Sequence, residues 1–441
     1  MSSTAADTTA LAEQQALALI DSRTAWLRLM VTLALMTVGA SGMYVVPVVL
    51  PYVQGEFGIS RADASLPYTL LMLGFGAGGI AMGRLADKRG VRLPLLLGGL
   101  CLGGGFIAAA LSPNVWTFAF AHGLLIGAIG SGSTFSPLLA DTSLWFDKRR
   151  GIAVAVCASG NYLGGTIWPP IVQHFIELYG WRPTYWGLGI GLGCVMVGLA
   201  LLMRPPPPAL FGVQASLRGP AGSAGTTASG QPFGLSPRLA TVLLCIAATG
   251  CCVAMSMPQV HIVAYCTDLG YGPARGAEML SLMLAAGIVS RLVSGAICDR
   301  IGGLRTLVLG SVLQGIALLL FLPFDGLVSL YVVSALFGLF QGGIVPSYAI
   351  IVREHFPLRE VGERVGTVIM FTLVGMALGG WMSGKVFDLT GSYHAAFING
   401  IAWNLLNLAI ALTLLRRSLR PGPTRVNMIT VPTRSPTSRS G

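Results

Sequence analysis

The chain has 441 residues, 54% hydrophobic and 10% charged, with 28 Lys and Arg against 17 Asp and Glu and a formal net charge of +11. Soluble domains carry about 25% charged residues, so a soluble enzyme, a disordered chain and a nucleic-acid-binding protein are excluded as leading readings. The natural unit of length is instead a stretch of about 20 apolar residues, the thickness of a bilayer.

Residues 1–25 are polar, mildly acidic and Ala-rich. They lack the basic start, apolar centre and cleavage site of a signal peptide, so the first apolar stretch is expected to stay in the mature protein. Twelve transmembrane helices are predicted. Six lie in the first half, at 27–54, 64–86, 93–112, 115–141, 150–177 and 183–203. Six lie in the second, at 238–267, 276–298, 304–323, 327–352, 362–387 and 394–416. The widest gap opens with RPPPP and continues GPAGSAGTTASGQP, the composition of a flexible linker. The tail is basic and rich in Pro and Ser, and reads as disordered. The domain division is therefore 1–25, a six-helix bundle over 26–204, a linker over 205–237, a second bundle over 238–418 and a tail over 419–441.

With the N-terminus inside, every Lys and Arg falls in a cytoplasmic segment or at its edge except Arg61, Arg182, Arg275, Lys385 and Arg291. That asymmetry is the positive-inside signal, and an even number of spans puts both termini in the cytoplasm. The expected location is the cytoplasmic (inner) membrane. The basic charge reports topology, and no nucleic-acid partner is expected.

The eight cysteines sit in apolar stretches or at their ends without a CxxC, as small packing residues. Neither a disulfide framework nor a metal site is expected. Gly74-Phe-Gly76-Ala-Gly-Gly79 satisfies GxGxxG inside a hydrophobic helix with no preceding strand, so it does not signal a dinucleotide. Gly379 to Lys385 is nearly a phosphate loop, but Val386 stands where Ser or Thr is needed. No catalytic constellation, cofactor motif or ATPase module is visible. The chain is read as a non-enzyme without cofactors, powered by gradients.

The halves repeat. Gly83-Arg-Leu-Ala-Asp87-Lys88-Arg-Gly90 follows span two, and Gly295-Ala-Ile-Cys-Asp299-Arg300-Ile-Gly302 follows span eight. Gly160-Asn-Tyr-Leu163-Gly164-Gly165 in span five is echoed by Gly375-Met-Ala-Leu378-Gly379-Gly380 in span eleven. Two such halves imply pseudo-symmetric bundles about an axis along the membrane normal. On these motifs the whole chain, about 26–417, resembles the major facilitator superfamily. The resemblance implies an all-α membrane fold of two six-helix bundles working by alternating access. It further implies that Asp87 and Asp299, with Gly83, Lys88, Gly90 and Arg300 around them, hold the cytoplasmic side closed.

Trp145-Phe-Asp-Lys148-Arg149-Arg150-Gly151 leading to Gly160-Asn161-Tyr-Leu-Gly164 looks like the monocarboxylate-transporter branch and its bacterial oxalate/formate-exchanger relatives, and so does an Arg in span eight, Arg291. Arg149 and Arg150 join the gating set on this resemblance. Three departures stand out. The acidic-aromatic opening of span one is missing. Val48 follows Pro47, where proton-coupled members place Lys. Gly287 lies one turn before Arg291, where they place Asp. The last two departures speak against proton coupling.

Arg291 lies eight residues before Asp299, about 12 Å inside the helix end. A charge there costs about 2.5–3.5 kcal/mol on insertion scales, so it faces a cavity or a partner. Glycines at i−4 and i+4 give it no acid on its own helix, and its fork suits a carboxylate. The alternative is a carbonyl or a carboxylate from another helix. His261 near Pro258 is a candidate pH-sensitive or substrate-contacting group, against the ordinary alternative of a hydrogen-bonded structural His. Tyr44, Asn161, Gln341 and Tyr348 are candidate cavity groups, each otherwise helix–helix glue.

The reading is a secondary transporter of a small organic, monocarboxylate-like anion, anchored on Arg291 and biased toward exchange. It would be an antiporter or symporter with a proton or counter-anion, working as a monomer in the bilayer. The alternatives are efflux of apolar or cationic compounds and a non-transporting membrane sensor on the same fold.

Overall fold

The computed structural model describes residues 19–203, 232–357 and 360–419. The N-terminal segment expected over 1–25, the linker over 205–237 and the tail over 419–441 fall largely outside the described residues. What is described is helical throughout, with no β-strand among the described residues. Each of the twelve predicted stretches coincides with helix.

In the first half, α1 (Arg23–Gly39) and α2 (Ser41–Phe57) meet at Ala40 and form one apolar stretch. They are followed by the short α3 (Arg61–Ala64), α4 (Leu66–Arg89) and α5 (Arg92–Ala110). The fourth stretch is broken. It passes from α6 (Val115–Phe120) through a π-helical run, Ala121–Gly130, and a 3-10 turn, Ser131–Ser133, into α7 (Ser136–Trp145). Then come α8 (Arg150–Tyr179) and α9 (Trp181–Leu202).

The second half comprises α10 (Pro237–Asp268), α11 (Pro273–Ile301) and α12 (Gly303–Leu320), then α13 (Leu327–Gln341) running on into α14 (Ile344–His355). It closes with α15 (Val361–Thr390) and α16 (Tyr393–Ser418). Among the described residues, eleven helical stretches are long and apolar enough to cross a membrane. The exception is α8, whose 30 residues include Asn161, Gln173, His174 and Glu177. That helix packs against α1 of its own half and α11 of the other, with Gln173 buried, Asn161 half-buried, and His174 and Glu177 exposed.

The repeated loops have a backbone reason for their last glycine. Gly90 ends α4 at φ 77°, ψ 160°, and Gly302 ends α11 at φ 83°, ψ 164°. This region is essentially closed to residues with a Cβ. The same strained corner turns the chain at equivalent places in both halves.

The two ends of the bundle differ. At the end carrying Arg61 the halves are locked. Asp388 near the end of α15 accepts the backbone N–H groups of Arg61 (2.8 Å) and Ala62 (2.9 Å). The Arg61 guanidinium donates through Nη2 to both oxygens of Asp268 at the end of α10 (3.2 and 3.0 Å) and lies over the Phe387 ring at 4.9 Å. Thr69 adds a hydrogen bond to the Ala377 carbonyl across the same seam (3.1 Å). At the opposite end, Asp87 and Asp299 are exposed and enter no ion pair or hydrogen bond among the described residues. The pairing expected of them is not made in this arrangement. Arg149, Lys88 and Arg300 are exposed as well, and Arg150 donates to the Phe146 carbonyl (3.0 Å).

Candidate functional site

A cavity of about 480 Å³ lies between the halves and runs to the unlocked end, where Gly83, Arg84 and Asp87 form part of its mouth. Its walls are mostly apolar and come from both bundles, with Met43, Met72 and Phe75 from the first and Met255, Met370 and Met376 from the second. Methionine is adaptable and polarizable, and is common on surfaces that accept varied apolar shapes.

The polar lining includes a small cluster of Tyr44, Asn161, Tyr162, Gln259 and Arg291, besides Ser136, Thr372 and, at the mouth, Arg84 and Asp87. The Tyr44 hydroxyl donates to Asn161 Oδ1 (2.9 Å), and the Asn161 amide nitrogen has no acceptor among the described residues. Arg291 is half-buried, and its Cζ lies 4.1 Å from the centre of the Tyr162 ring, within cation–π range. Its one hydrogen bond runs from Nη1 to the Ala158 carbonyl (3.3 Å), and its Nε is buried without a partner. No carboxylate pairs with it among the described residues. A guanidinium has five N–H donors in a planar fork, so this group keeps most of its capacity for a bidentate acceptor.

Of the candidates named from sequence, Arg291, Tyr44 and Asn161 line the cavity, as do Gly83 and Asp87 at its mouth. Three candidates lie elsewhere. His261 is buried at the locked end, where Nε2–H donates to the Gly380 carbonyl (2.8 Å) beside Tyr393. Its ring faces α15, whose Gly380 carbonyl it meets, while Gln259 two residues earlier on the same helix lines the cavity. Tyr348 is fully buried within the second bundle and donates to Asn407 Oδ1 (2.9 Å). Gln341 stands one layer behind the wall, accepting from Gln259 Nε2 (3.1 Å).

Sequence reasoning missed Tyr162 and Gln259. Tyr162 stands within the quoted Gly160–Gly165 motif and Gln259 lies between Pro258 and His261, and neither carries a charge that would single it out. It also read Arg28 as a topology charge. That residue is 8% exposed and forms a two-point ion pair with Asp141 (Nε–Oδ2 2.9 Å, Nη2–Oδ1 3.0 Å), with its guanidinium over Trp145.

The family model described as Major Facilitator Superfamily matches residues 31–327 and 242–436, and the chain belongs to that family. The protein is therefore a multi-pass integral membrane transporter and not an enzyme. Over 332 residues it is 29% identical to monocarboxylate transporter 13 of Rattus norvegicus, spanning 75% of this chain and 74% of that one. Over 345 residues it is 26% identical to the MFS-type transporter opdF of Penicillium oxalicum, spanning 76% and 77%. Among solved structures, the peptide transporter POT in complex with sulfate matches with a TM-score of 0.70 at 15% identity, over 92% of this chain and 98% of that one, which is a likeness of fold.

Proposed function

We propose that this transporter carries a small organic anion, a monocarboxylate-like solute, with Arg291 as the anchor for its carboxylate. The observation that carries the reading is a guanidinium lining the cavity between the halves with no carboxylate among the described residues to neutralise it. A bound carboxylate would take two parallel N–H donors of the fork. Asn161 supplies a further free amide donor on the same wall. The similarity to a monocarboxylate transporter agrees with this choice, and the bacterial oxalate/formate branch is the narrower placement proposed from the sequence motifs.

The positive-inside pattern makes the Asp87 end cytoplasmic. In that reading twelve spans cross the cytoplasmic membrane with both termini inside, and the arrangement described is inward-open. The outward-open form would require breaking the Arg61–Asp268 and Asp388 contacts and drawing the Asp87 and Asp299 loops together. During that passage the cavity closes, and an unpaired guanidinium is desolvated at a cost. A bound anion lowers the cost, so loaded carriers turn over faster than empty ones and exchange is favoured over net flux. No proton is needed to neutralise an acid beside Arg291, because position 287 is Gly. The carrier acts as a monomer in this reading.

The test is counterflow in proteoliposomes. Labelled benzoate should enter vesicles preloaded with unlabelled benzoate several-fold faster than empty vesicles, and Arg291→Ala should abolish the difference. Equal rates into loaded and empty vesicles would overturn the exchange bias. Retained uptake in Arg291→Ala would overturn the anchor. The methionine-rich walls favour one second reading, efflux of apolar compounds, which full activity of Arg291→Lys would support.

A further inference from the structure

We infer that Tyr162 is the positioning residue of the carboxylate site, its ring occupying the place on the Arg291 helix where an acidic neighbour would otherwise stand. The inference rests on the anion reading of Arg291 and adds how that charge is held without being neutralised.

Two independent observations meet at this ring. The first is the cation–π contact, with the guanidinium carbon 4.1 Å from the ring centre. The second is the fit against Gly287, one turn before Arg291. A Cβ built there would lie 2.4 Å from Tyr162 Cε1 and 2.7 Å from Cδ1. No side chain fits at 287 while the ring is in place, so a carboxylate at 287 and an aromatic floor under Arg291 are mutually exclusive. This chain has taken the floor.

The consequence is electrostatic. A carboxylate partner would neutralise Arg291 and occupy its fork. A ring face attracts the cation through its quadrupole and takes none of the N–H donors that lie in the guanidinium plane. Tyr162 thus fixes the plane of the fork while leaving its charge and its edge to a cargo. Because Tyr162 belongs to the first bundle and Arg291 to the second, the contact also places the fork beside Asn161, the neighbouring donor in the chain.

The experiment uses full-length protein in proteoliposomes, with benzoate as probe and benzamide as its uncharged counterpart. Tyr162→Phe keeps a ring face and should keep the KM for benzoate within about twofold. Tyr162→Leu should raise it about tenfold with little change in kcat, and should narrow the preference for benzoate over benzamide by the same factor. Gly287→Ala, which leaves Tyr162 in the sequence but pushes its ring aside, should raise the KM in the same direction. A general packing defect would lower kcat and act on both probes alike. The inference is overturned if Tyr162→Leu has the wild-type KM, or if Tyr162→Phe is as impaired as Tyr162→Leu. Its failure is separable from that of the anion reading: Arg291→Ala with unchanged benzoate uptake sinks the latter, whereas loss in Arg291→Ala with a normal Tyr162→Leu sinks only the role of the ring.

Discussion

Arg28 and Arg291 are both withdrawn from bulk water inside a helical bundle, yet their surroundings are opposite. Arg28 is gripped at two points by Asp141 and capped by Trp145, all within one bundle. Arg291 has a carbonyl, an aromatic face and a cavity, and its partners come from the other bundle. Arg61 stands between the two cases. It is saturated by a carboxylate like Arg28, but across the seam between the halves like Arg291. The comparison teaches that where this fold uses a guanidinium as a structural tie it supplies an acid. Arg291, which has no acid among the described residues, sits where cargo would pass.

The contrast can be broken most forcefully at Arg28. Removing one partner of a buried ion pair leaves the other uncompensated, which costs about 3–5 kcal/mol. Arg28→Ala should therefore lower Tm markedly in detergent, while Arg291→Ala should cost only about 1–2 kcal/mol, the loss of one long carbonyl bond and one ring contact. Thermal unfolding of the two variants side by side reads this directly, and equal losses would erase the distinction.

Next in size is Arg61→Ala, which removes charge-assisted hydrogen bonds worth about 2–3 kcal/mol from the locked end. The populations should shift toward opening there. Labelling of a cysteine placed at Tyr68, 2% exposed beneath the lock, should speed up by at least about tenfold on the Arg61→Ala background. Gly302→Ala forces a Cβ into a φ of 83° and should cost about 1–3 kcal/mol, seen as a lower Tm with an unchanged KM for carboxylate. Smallest is Tyr348→Phe, which loses one hydrogen bond to Asn407. It should cost about 1 kcal/mol of stability and leave KM unaltered, because Tyr348 does not face the cavity.

Much of the architecture was legible because hydropathy and glycine placement are local signals. The apolar stretches and the paired loops ending at Gly90 and Gly302 need no knowledge of tertiary packing. Arg291 was legible for the same reason, as a lone charge in an apolar run. The rest of the site depends on which way a helix faces. Tyr162 matters only because Gly287, on a helix of the other bundle, leaves a notch for its ring. His261 shares an apolar run with Gln259, yet Gln259 faces the cavity and His261 faces α15. Arg28 and Arg61 lie near helix ends, where composition does not distinguish a charge reaching for water from one paired with Asp141 or Asp268.

The most direct test of the central claim is a thermal-shift titration of the purified full-length protein with benzoate, repeated with benzamide and on Arg291→Ala. The account predicts that benzoate raises the Tm of the wild type, that benzamide does not, and that Arg291→Ala loses the benzoate effect while keeping its own unliganded Tm near that of the wild type. Equal stabilisation by acid and amide, or an undiminished benzoate shift in Arg291→Ala, would contradict it.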